Sequence, residues 1–231
     1  MYDATVRENL PRVQERIAAA QARSGRSAAV TIVAVTKTHP ADAVRAALAV
    51  GLHAIGENRV QELVEKVEAA GRAAAEWHLI GHLQRNKVRR ALPLFDLIES
   101  VDSYRLAQEL SAEAERTGRE VESLVEVNIS GEESKSGFSP AELLDAVAAV
   151  AQLPRLHVRG LMTIGPLTDD RVAIRAAFVP MRGLFEACGR DVPGFDARWL
   201  SMGMSGDFEI AVEEGSTMVR LGTVLFGERL Q

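Results

Sequence analysis

The chain has 231 residues, 47% of them hydrophobic, which suffices for one α/β barrel or for two small domains. Its net charge of −5 and pI of about 5.6 are atypical of proteins with a general affinity for nucleic acids. A single cysteine excludes a disulfide framework and a cysteine metal cluster, and no apolar run approaches the roughly 20 residues that span a bilayer. Residues 3–8 are polar and charged, unlike a signal peptide, so we expect a cytoplasmic protein.

Strand-like and helical segments alternate along the chain. Apolar residues at helical spacing predict an opening helix at about residues 4–24, which Pro11 is expected to kink or delay. Strands are predicted at residues 30–36, 53–56, 77–81, 97–101, 123–129, 156–163, 198–203 and 217–222. Helices are predicted between them at residues 41–50, 60–70, 86–92, 104–116, 141–151, 171–187 and 208–213, and a short apolar piece follows at 224–226.

This alternation predicts the fold. Eight strands with seven intervening helices favour an α/β fold, a TIM-type (β/α)8 barrel with an extra N-terminal helix, formed as a single domain by residues 1–231. Several strands are continuous apolar runs, which is typical of parallel strands buried on both faces. The alternative is a doubly wound sheet, but no GxGxxG follows the first strand.

Lys37 is the first candidate functional residue. It stands where the apolar strand 30–36 gives way to a loop, in a chain where only four of the 27 lysines and arginines are lysine. A lysine ammonium loses its proton readily when it is desolvated, whereas arginine stays charged, so lysine suits Schiff-base chemistry. The alternative interpretation is a charged residue that caps a strand.

Barrel enzymes carry their sites at the C-terminal ends of the strands. The predicted strand ends are rich in polar and small residues, while the strand interiors are apolar, which indicates a ligand site at one mouth of the barrel. The residues at these ends are Lys37, Glu57, Asn58, His82, Asp102 and Ser103, followed by residues 128–130, 162–163, 201–206 and 220–223.

The end of the last strand predicts an anion site. Arg220, Leu221, Gly222 and Thr223 lead directly into a short helix, where a glycine admits close backbone approach and N–H groups favour an anion. In TIM barrels the loops after strands 7 and 8 often form a phosphate site, to which residues 201–206 would contribute. Thr223 also suits a helix cap, which uses the same N–H groups and is compatible with anion binding.

Metal and nucleotide sites are not expected. His78 and His82 are four residues apart, but they fall in a predicted strand and turn, and no HExxH is present. The loop at residues 131–137 has the composition of a phosphate-binding loop but lacks GK[ST]. Cys188 has no paired base in view, and we expect it to be structural.

Short segments spread in order over nearly the whole chain resemble the YggS/PROSC family. They are AVTKT at 34–38, GENRVQE at 56–62, WHLIGHLQ at 77–84, NK at 86–87, ESVDS at 99–103, NIS at 128–130, KSGF at 135–138, GLMT at 160–163, LSMGMS at 200–205, DF at 207–208, VRLG at 219–222 and FG at 226–227. Because the segments occur together and in order, the set is far more specific than any one motif.

The resemblance implies a pyridoxal 5′-phosphate (PLP) site on a barrel like the N-terminal domain of alanine racemase. Lys37 would form a Schiff base with the cofactor. Arg220 would face the pyridine nitrogen, where a permanent positive charge leaves that nitrogen unprotonated and weakens the ring as an electron sink. The other implied contacts are Gly222, Thr223, Ser205 and Ser201 to the phosphate, and Asn58 and Met202 along the cofactor.

The resemblance also implies vitamin B6 homeostasis, in which the protein holds and delivers the cofactor without a clear catalytic activity. Its implied partners are apo-enzymes that use PLP, and we expect a monomer. The alternative is an amino-acid racemase. Alanine racemase takes a catalytic tyrosine from a second domain, whereas this sequence ends soon after the last barrel element. Its tyrosines, Tyr2 and Tyr104, lie away from predicted strand ends, so a second acid/base would come from elsewhere.

Two positions bear on release of the cofactor. Many relatives carry a second lysine two residues after the Schiff-base lysine, and His39 stands there in this chain. Lys135 lies in the polar loop after the fifth strand, between Gly131 and Gly137, and belongs to the same mouth as Lys37. We hypothesise that Lys135 takes over the cofactor, so that it influences transfer more than binding. The alternative is an exposed loop charge.

Overall fold

Eight parallel strands close into a barrel in the order in which they occur along the chain. The computed structural model describes residues 2–132 and 134–228. The strands are β1 (Thr31–Val35), β2 (Ala54–Glu57), β3 (Glu76–Leu79), β4 (Leu97–Val101), β5 (Val121–Val127), β6 (Leu156–Thr163), β7 (Trp199–Ser201) and β8 (Met218–Leu221). β1 pairs with both β2 and β8, so every strand has two hydrogen-bonded neighbours.

Helices surround the barrel. They are α1 (Tyr2–Ser24), α2 (Ala41–Ala49), α3 (Val60–Ala70), α4 (Val88–Ala91), α5 (Tyr104–Thr117), α6 (Leu143–Ala151), α7 (Arg171–Asp191), α8 (Phe208–Glu213) and α9 (Thr223–Phe226), with short 3₁₀ turns at Arg72–Ala74 and Arg85–Lys87. Each helix within the described ranges is too short or too polar to cross a bilayer.

The predicted barrel is confirmed, although many element boundaries differ from the prediction by up to four residues, and two of these differences have identifiable reasons. α1 begins at Tyr2 and continues through Pro11, which is exposed, so solvent can hydrate the carbonyl that proline leaves unbonded. β5 ends at Val127, two residues earlier than predicted. The chain turns there because the Asn128 N–H donates to the Phe138 carbonyl at 2.9 Å.

Apolar side chains form two layers because alternate strand residues face opposite sides of the sheet. A large cluster fills the space between strands and helices. A small cluster lies inside the barrel and consists of Val33, Ala54, Leu97, Leu124, Met162 and Met218. Glu99, Glu126 and Arg220 each lie two residues after one of these side chains, namely Leu97, Leu124 and Met218, and so share its face of the sheet. The barrel interior therefore becomes polar toward the C-terminal ends of the strands.

Candidate functional site

A cavity of about 590 Å³ opens at the C-terminal ends of the strands. Its floor is the polar layer of the barrel interior, and its walls are the loops that follow the strands. The residues lining it include Lys37, Asn58, His82, Glu126, Lys135, Ser205, Gly206, Arg220, Gly222 and Thr223. This is the end of the barrel at which a ligand site was expected.

Lys37 follows β1 in a tight turn that places its half-buried side chain on the cavity wall. The His39 N–H donates to the Thr36 carbonyl at 3.0 Å. Thr38 adopts a left-handed conformation, with a φ of 64°, which is uncommon for a β-branched residue. Its N–H donates to Glu62 Oε2 at 2.9 Å, so α3 helps to hold the strained turn that presents Lys37.

Behind this turn, a buried ion pair fixes Thr36. The Lys66 ammonium donates to the Thr36 carbonyl at 2.6 Å and pairs with Glu57, which also accepts a hydrogen bond from the Thr36 hydroxyl. Glu57 is fully buried, and burial raises the pKa of its carboxyl despite the opposing effect of Lys66. Lys66 lies in the layer between barrel and helices and is not among the residues that line the cavity.

Four side chains form a hydrogen-bonded chain across the cavity floor. His78 Nδ1 lies 2.7 Å from Glu99 Oε1, and the Ser201 hydroxyl donates to Glu99 Oε2 at 2.6 Å. Arg220 Nη1 donates to the Ser201 hydroxyl at 2.6 Å, and Nη2 donates to the Thr163 carbonyl at 2.7 Å. No hydrogen bond to another described residue involves Nε of Arg220, so this N–H is available to a ligand in the cavity.

The charges of this floor stabilise one another. Burial opposes the charging of His78, but its contacts with Glu76 and Glu99 outweigh burial and raise the pKa of His78 to about 9. Burial also opposes the charging of Glu99, yet His78 and Arg220 hold the pKa of this carboxyl below its ordinary value. Burial lowers the pKa of Arg220, whose guanidinium nevertheless stays charged in proteins.

The loops after β7 and β8 form a wall suited to an anion. Ser205 and Gly206 follow β7, and Gly222 and Thr223 follow β8. The Val224 N–H donates to the Ser205 hydroxyl at 3.3 Å and joins the two loops. A Cβ on Gly222 would lie 3.4 Å from the nearest atom, which is ordinary contact, so packing within the chain does not require this glycine. Hydroxyls and exposed backbone on this wall suit a phosphate.

Asn58 reaches the cavity because of Gly81, which was not among the expected site residues. A Cβ on Gly81 would lie 2.7 Å from the Asn58 carbonyl oxygen and 2.9 Å from its Cα, closer than such atoms pack. Gly81 therefore lets the loop after β3 lie directly against the loop after β2. The available signal was a glycine at the end of a predicted strand, which often marks a close backbone approach.

The structure brings six of the eight predicted contact residues to the cavity: Lys37, Asn58, Ser205, Arg220, Gly222 and Thr223. Ser201 and Met202 do not line it. The Ser201 hydroxyl is engaged by Glu99 and Arg220 in the floor, so its geometry suits the positioning of Arg220 and not a phosphate contact. Met202 follows the inward Ser201 and packs in the outer apolar layer, whereas Met204 lies in the loop beyond β7, where strand alternation no longer applies, and lines the cavity.

The wall formed by β3 to β5 carries a buried carboxylate, Glu126, that was not among the strand-end residues expected at this mouth. Glu126, near the end of β5, is 6% exposed and lines the cavity. On the rim, His82 Nδ1 lies 2.6 Å from Asp102 Oδ2. The signal for Glu126 was a carboxylate at an inward position of an apolar strand, which alternation from Leu124 would have revealed.

Lys135 lines the same cavity as Lys37, and it is anchored at the rim. Its ammonium donates to the Ser130 hydroxyl at 3.1 Å and to the Gly165 carbonyl at 3.0 Å, and it pairs with Glu132 at 2.6 Å. Its side chain is 19% exposed, so it is not the exposed loop charge that the sequence left as an alternative.

His39 is buried and is not among the residues that line the cavity. Its Nδ1 lies 3.1 Å from the Tyr2 hydroxyl, and its ring packs against Phe226 with 5.4 Å between centroids. This ring therefore joins α1 and α9 to the turn that carries Lys37.

Comparisons with known proteins agree on one family. Residues 9–230 match the family described as "Alanine racemase, N-terminal domain". A pyridoxal phosphate homeostasis protein of Pseudomonas aeruginosa is 43% identical over 227 residues, with 98% of this chain and 96% of that protein covered. An unknown protein from Bifidobacterium adolescentis, whose crystal structure is solved, is 42% identical with a TM-score of 0.90, over 97% of this chain and 96% of that one.

A structure with its ligand is also similar. PipY of Synechococcus elongatus PCC7942, solved with PLP bound, is 39% identical with a TM-score of 0.80, and 92% of this chain matches 99% of PipY. The chain therefore belongs to the alanine racemase N-terminal domain family and, within it, to the pyridoxal phosphate homeostasis proteins. The resemblance found in the sequence is confirmed.

Proposed function

We propose that this protein binds PLP on Lys37 and serves vitamin B6 homeostasis as a carrier of the cofactor. The observation that carries the proposal is the convergence of a half-buried lysine, a fixed guanidinium and an anion-compatible wall in one cavity. The names of the relatives and the PLP bound to PipY support the same ligand. PLP supplies an aldehyde that bonds to amines and a ring that withdraws electrons.

The residues of the cavity fit the polar groups of this ligand. Nζ of Lys37 would hold the aldehyde carbon. Ser205, Gly222 and Thr223 would hold the phosphate with hydroxyl and backbone groups. Arg220 would donate to the pyridine nitrogen through Nε, since both of its Nη atoms are bound to the barrel.

We propose a carrier without turnover in preference to a racemase. The charge of Arg220 would leave the ring nitrogen unprotonated, so the bound cofactor would stabilise a carbanion poorly. Neither tyrosine is among the lining residues, since Tyr2 contacts His39 and Tyr104 is exposed on α5. We further propose that the barrel is one domain, acts as a monomer and delivers PLP to apo-enzymes.

Labelling of the bound cofactor tests the attachment. The purified chain should absorb visible light, and borohydride reduction followed by peptide mapping should place the pyridoxyl group on Lys37. A label on Lys66 or Lys87 instead would refute the assignment. In the same preparation, a panel of amino acids should give no steady turnover near ordinary enzymatic rates of about 1–1000 per second.

A further inference from the structure

Glu126 is a buried carboxylate that has no hydrogen-bond partner for its side chain in residues 2–132 and 134–228. It is 6% exposed and lines the cavity near the end of β5. Most buried polar side chains in proteins have a partner, because burial without one costs free energy. An unpartnered carboxylate directed into a cavity therefore points to a ligand that supplies the missing donor.

The charges around the cavity divide between two walls. The wall after β7 and β8 offers the Arg220 guanidinium, hydroxyls and backbone N–H groups, and it suits an anion. The wall of β3 to β5 offers the Glu126 carboxylate, while Asp102 nearby is engaged by His82 on the rim. The Lys135 ammonium also lines the cavity from the loop after β5, but it is held by Glu132, Ser130 and Gly165. Burial and then the charge of Asp102 raise the pKa of Glu126 to about 7, although Arg220 and His82 oppose the shift. Glu126 forms no ion pair within the described residues, so its carboxylate favours a cation at this point of the wall.

The position of Glu126 in the barrel defines where such a cation would lie. In a closed barrel of eight strands in sequence order, β5 is four strands from β1 in either direction. Glu126 and Lys37 therefore belong to opposite walls of one cavity. A cation at Glu126 would face Lys37 across the space assigned to the cofactor, and the anion wall would remain available to a phosphate.

We propose that Glu126 binds the ammonium group of a small primary amine, such as an amino acid, on the cavity wall opposite Lys37. An ammonium group supplies three donors in a compact cation, which matches a carboxylate whose oxygens both lack hydrogen-bond partners in the part of the chain that the structure describes. The proposal goes beyond the cofactor site, because a carrier of PLP requires no second ligand. It gives the cavity a second class of ligand that can reach the side of the cofactor away from Lys37.

Calorimetry on the full chain without cofactor tests this binding directly. Ethylamine and alanine are titrated separately near neutral pH, in two buffers with different protonation enthalpies, and propionate serves as the analogue that lacks an amine. Both amines should bind with release of protons, because the partly protonated Glu126 must ionise to pair with ammonium, and propionate should not bind in their place. Binding by alanine alone would narrow the ligand class to amino acids.

Two matched variants locate the site. Glu126→Gln should weaken amine binding by about tenfold or more, because it removes a charge-assisted hydrogen bond. Glu122→Gln makes the same change on the same strand, where Glu122 pairs with Arg159 away from the cavity, and should leave amine binding unchanged. In the unsubstituted protein, the pKa of Glu126 followed by carbon NMR should fall when ethylamine is added.

Three results would overturn the proposal: no amine binding by the parent, equal binding by Glu126→Gln, or a pKa of Glu126 that ethylamine leaves unchanged. Amine binding that emerges only in Lys135→Ala would overturn it as well, by showing that Lys135 itself occupies Glu126. Every arm uses the protein without cofactor. A failure here therefore leaves attachment at Lys37 untouched, and a failure of that attachment leaves this test intact.

Discussion

Two lysines approach the end of β1 from opposite sides, and their surroundings differ. Lys37 extends from the turn after β1 to the cavity wall and is half-buried. Lys66 arrives from α3 and is 5% exposed, with its ammonium bonded to the Thr36 carbonyl and paired with Glu57. The more buried lysine thus lies in the packed layer between barrel and helices, and the less buried one lies on the cavity wall.

The difference teaches that burial alone does not identify a reactive lysine. An ammonium that donates to a carboxylate and a carbonyl in a packed layer is held there, since its loss would leave a buried charge uncompensated, and it cannot reach a ligand. Lys37 is distinguished by its place on a cavity that also holds Arg220 and the phosphate-compatible wall. Access to a ligand-sized space separates the two roles.

The largest effects should come from replacing each of these two lysines in turn. Lys37→Ala should abolish covalent attachment of PLP and change the free energy of unfolding by about 1 kcal/mol or less. Lys66→Met should lower the free energy of unfolding by about 3–5 kcal/mol, because it leaves the Glu57 carboxylate buried without a cation. One oxygen of Glu57 already lacks a hydrogen-bond partner among the described residues. Denaturant titration and borohydride labelling measure the two effects separately.

A double variant provides the control. Replacing Glu57 by Gln together with Lys66→Met removes the uncompensated charge and should recover part of the lost stability. Two results would contradict the distinction between the two lysines. One is a folded Lys66→Met protein that no longer accepts label at Lys37, and the other is a Lys66→Met protein whose free energy of unfolding is unchanged.

The position of Lys37 could be predicted from the sequence, whereas the partners of Lys66 could not. Lys37 was predictable because an apolar strand ends just before it. In a parallel barrel, a residue at the C-terminal end of a strand lies at the mouth where ligands bind. The partners of Lys66 depend on how α3 packs across the ends of β1 and β2. That packing joins Thr36 to a lysine 30 positions away, and no local pattern reveals it.

Local sequence patterns predicted the barrel but misplaced one site residue and missed another. The barrel was predictable because apolar runs and helical spacing alternate eight times. Met202 was expected at the cavity, but β7 ends at Ser201, and alternation turns the next side chain outward. Glu126 was not predicted because it lies inside the predicted strand 123–129 and not at its end, whereas the last inward residue of the observed β5 reaches the cavity as well.

If the cavity that Lys37 lines is the PLP site, the phosphate group should contribute strongly to the affinity for PLP. Charge-assisted hydrogen bonds contribute about 1.5–3 kcal/mol each, so pyridoxal should bind at least tenfold more weakly than PLP. Ser205→Ala should weaken PLP binding and leave pyridoxal binding unchanged, which provides an internal control. Equilibrium titrations of both ligands on both proteins decide the matter. Equal affinities of the parent for the two ligands would show that the phosphate wall is wrongly placed.

The second buried pair, His78 and Glu99, extends the comparison to pH. Its contacts raise the pKa of His78 from 6.5 to about 9, so folding favours the protonated ring. The resulting stability is fully present below pH 6.5 and is lost as the pH rises through about 9, a change of about 3 kcal/mol. Denaturant titrations across this window should show the decline, and His78→Gln should flatten it.

Glu126 affects stability over a lower pH range than His78, so the two contributions can be distinguished. Its pKa is raised from 4.5 to about 7, so its charging reduces stability as the pH rises between those values. A decline that persists in His78→Gln above pH 7 would contradict the assignment of the alkaline window to His78.

Lys135 should give the smallest effect, because it combines features of the other two lysines. Like Lys37 it lines the cavity, and like Lys66 it is bonded to a carboxylate and a carbonyl. To take the cofactor from Lys37, its ammonium must leave Glu132, Ser130 and Gly165, which limits the advantage of a relay. Lys135→Ala should leave PLP content nearly unchanged and slow reactivation of an apo-enzyme by about tenfold or less, the effect of roughly 1.4 kcal/mol on a barrier.

Two further variants decide whether Lys135 acts as an amine or only as an anchor of its loop. Glu132→Ala releases one contact of the ammonium, so a relay should become faster in this variant, whereas an anchor would only be weakened. Lys87→Ala removes a lysine that is not among the residues lining the cavity and should change nothing. Reactivation is followed after mixing loaded protein with an apo-enzyme in excess. Transfer kinetics that stay the same in Lys135→Ala would rule out the relay even with Lys37 established as the anchor, and passage of the cofactor would then depend on Lys37 alone.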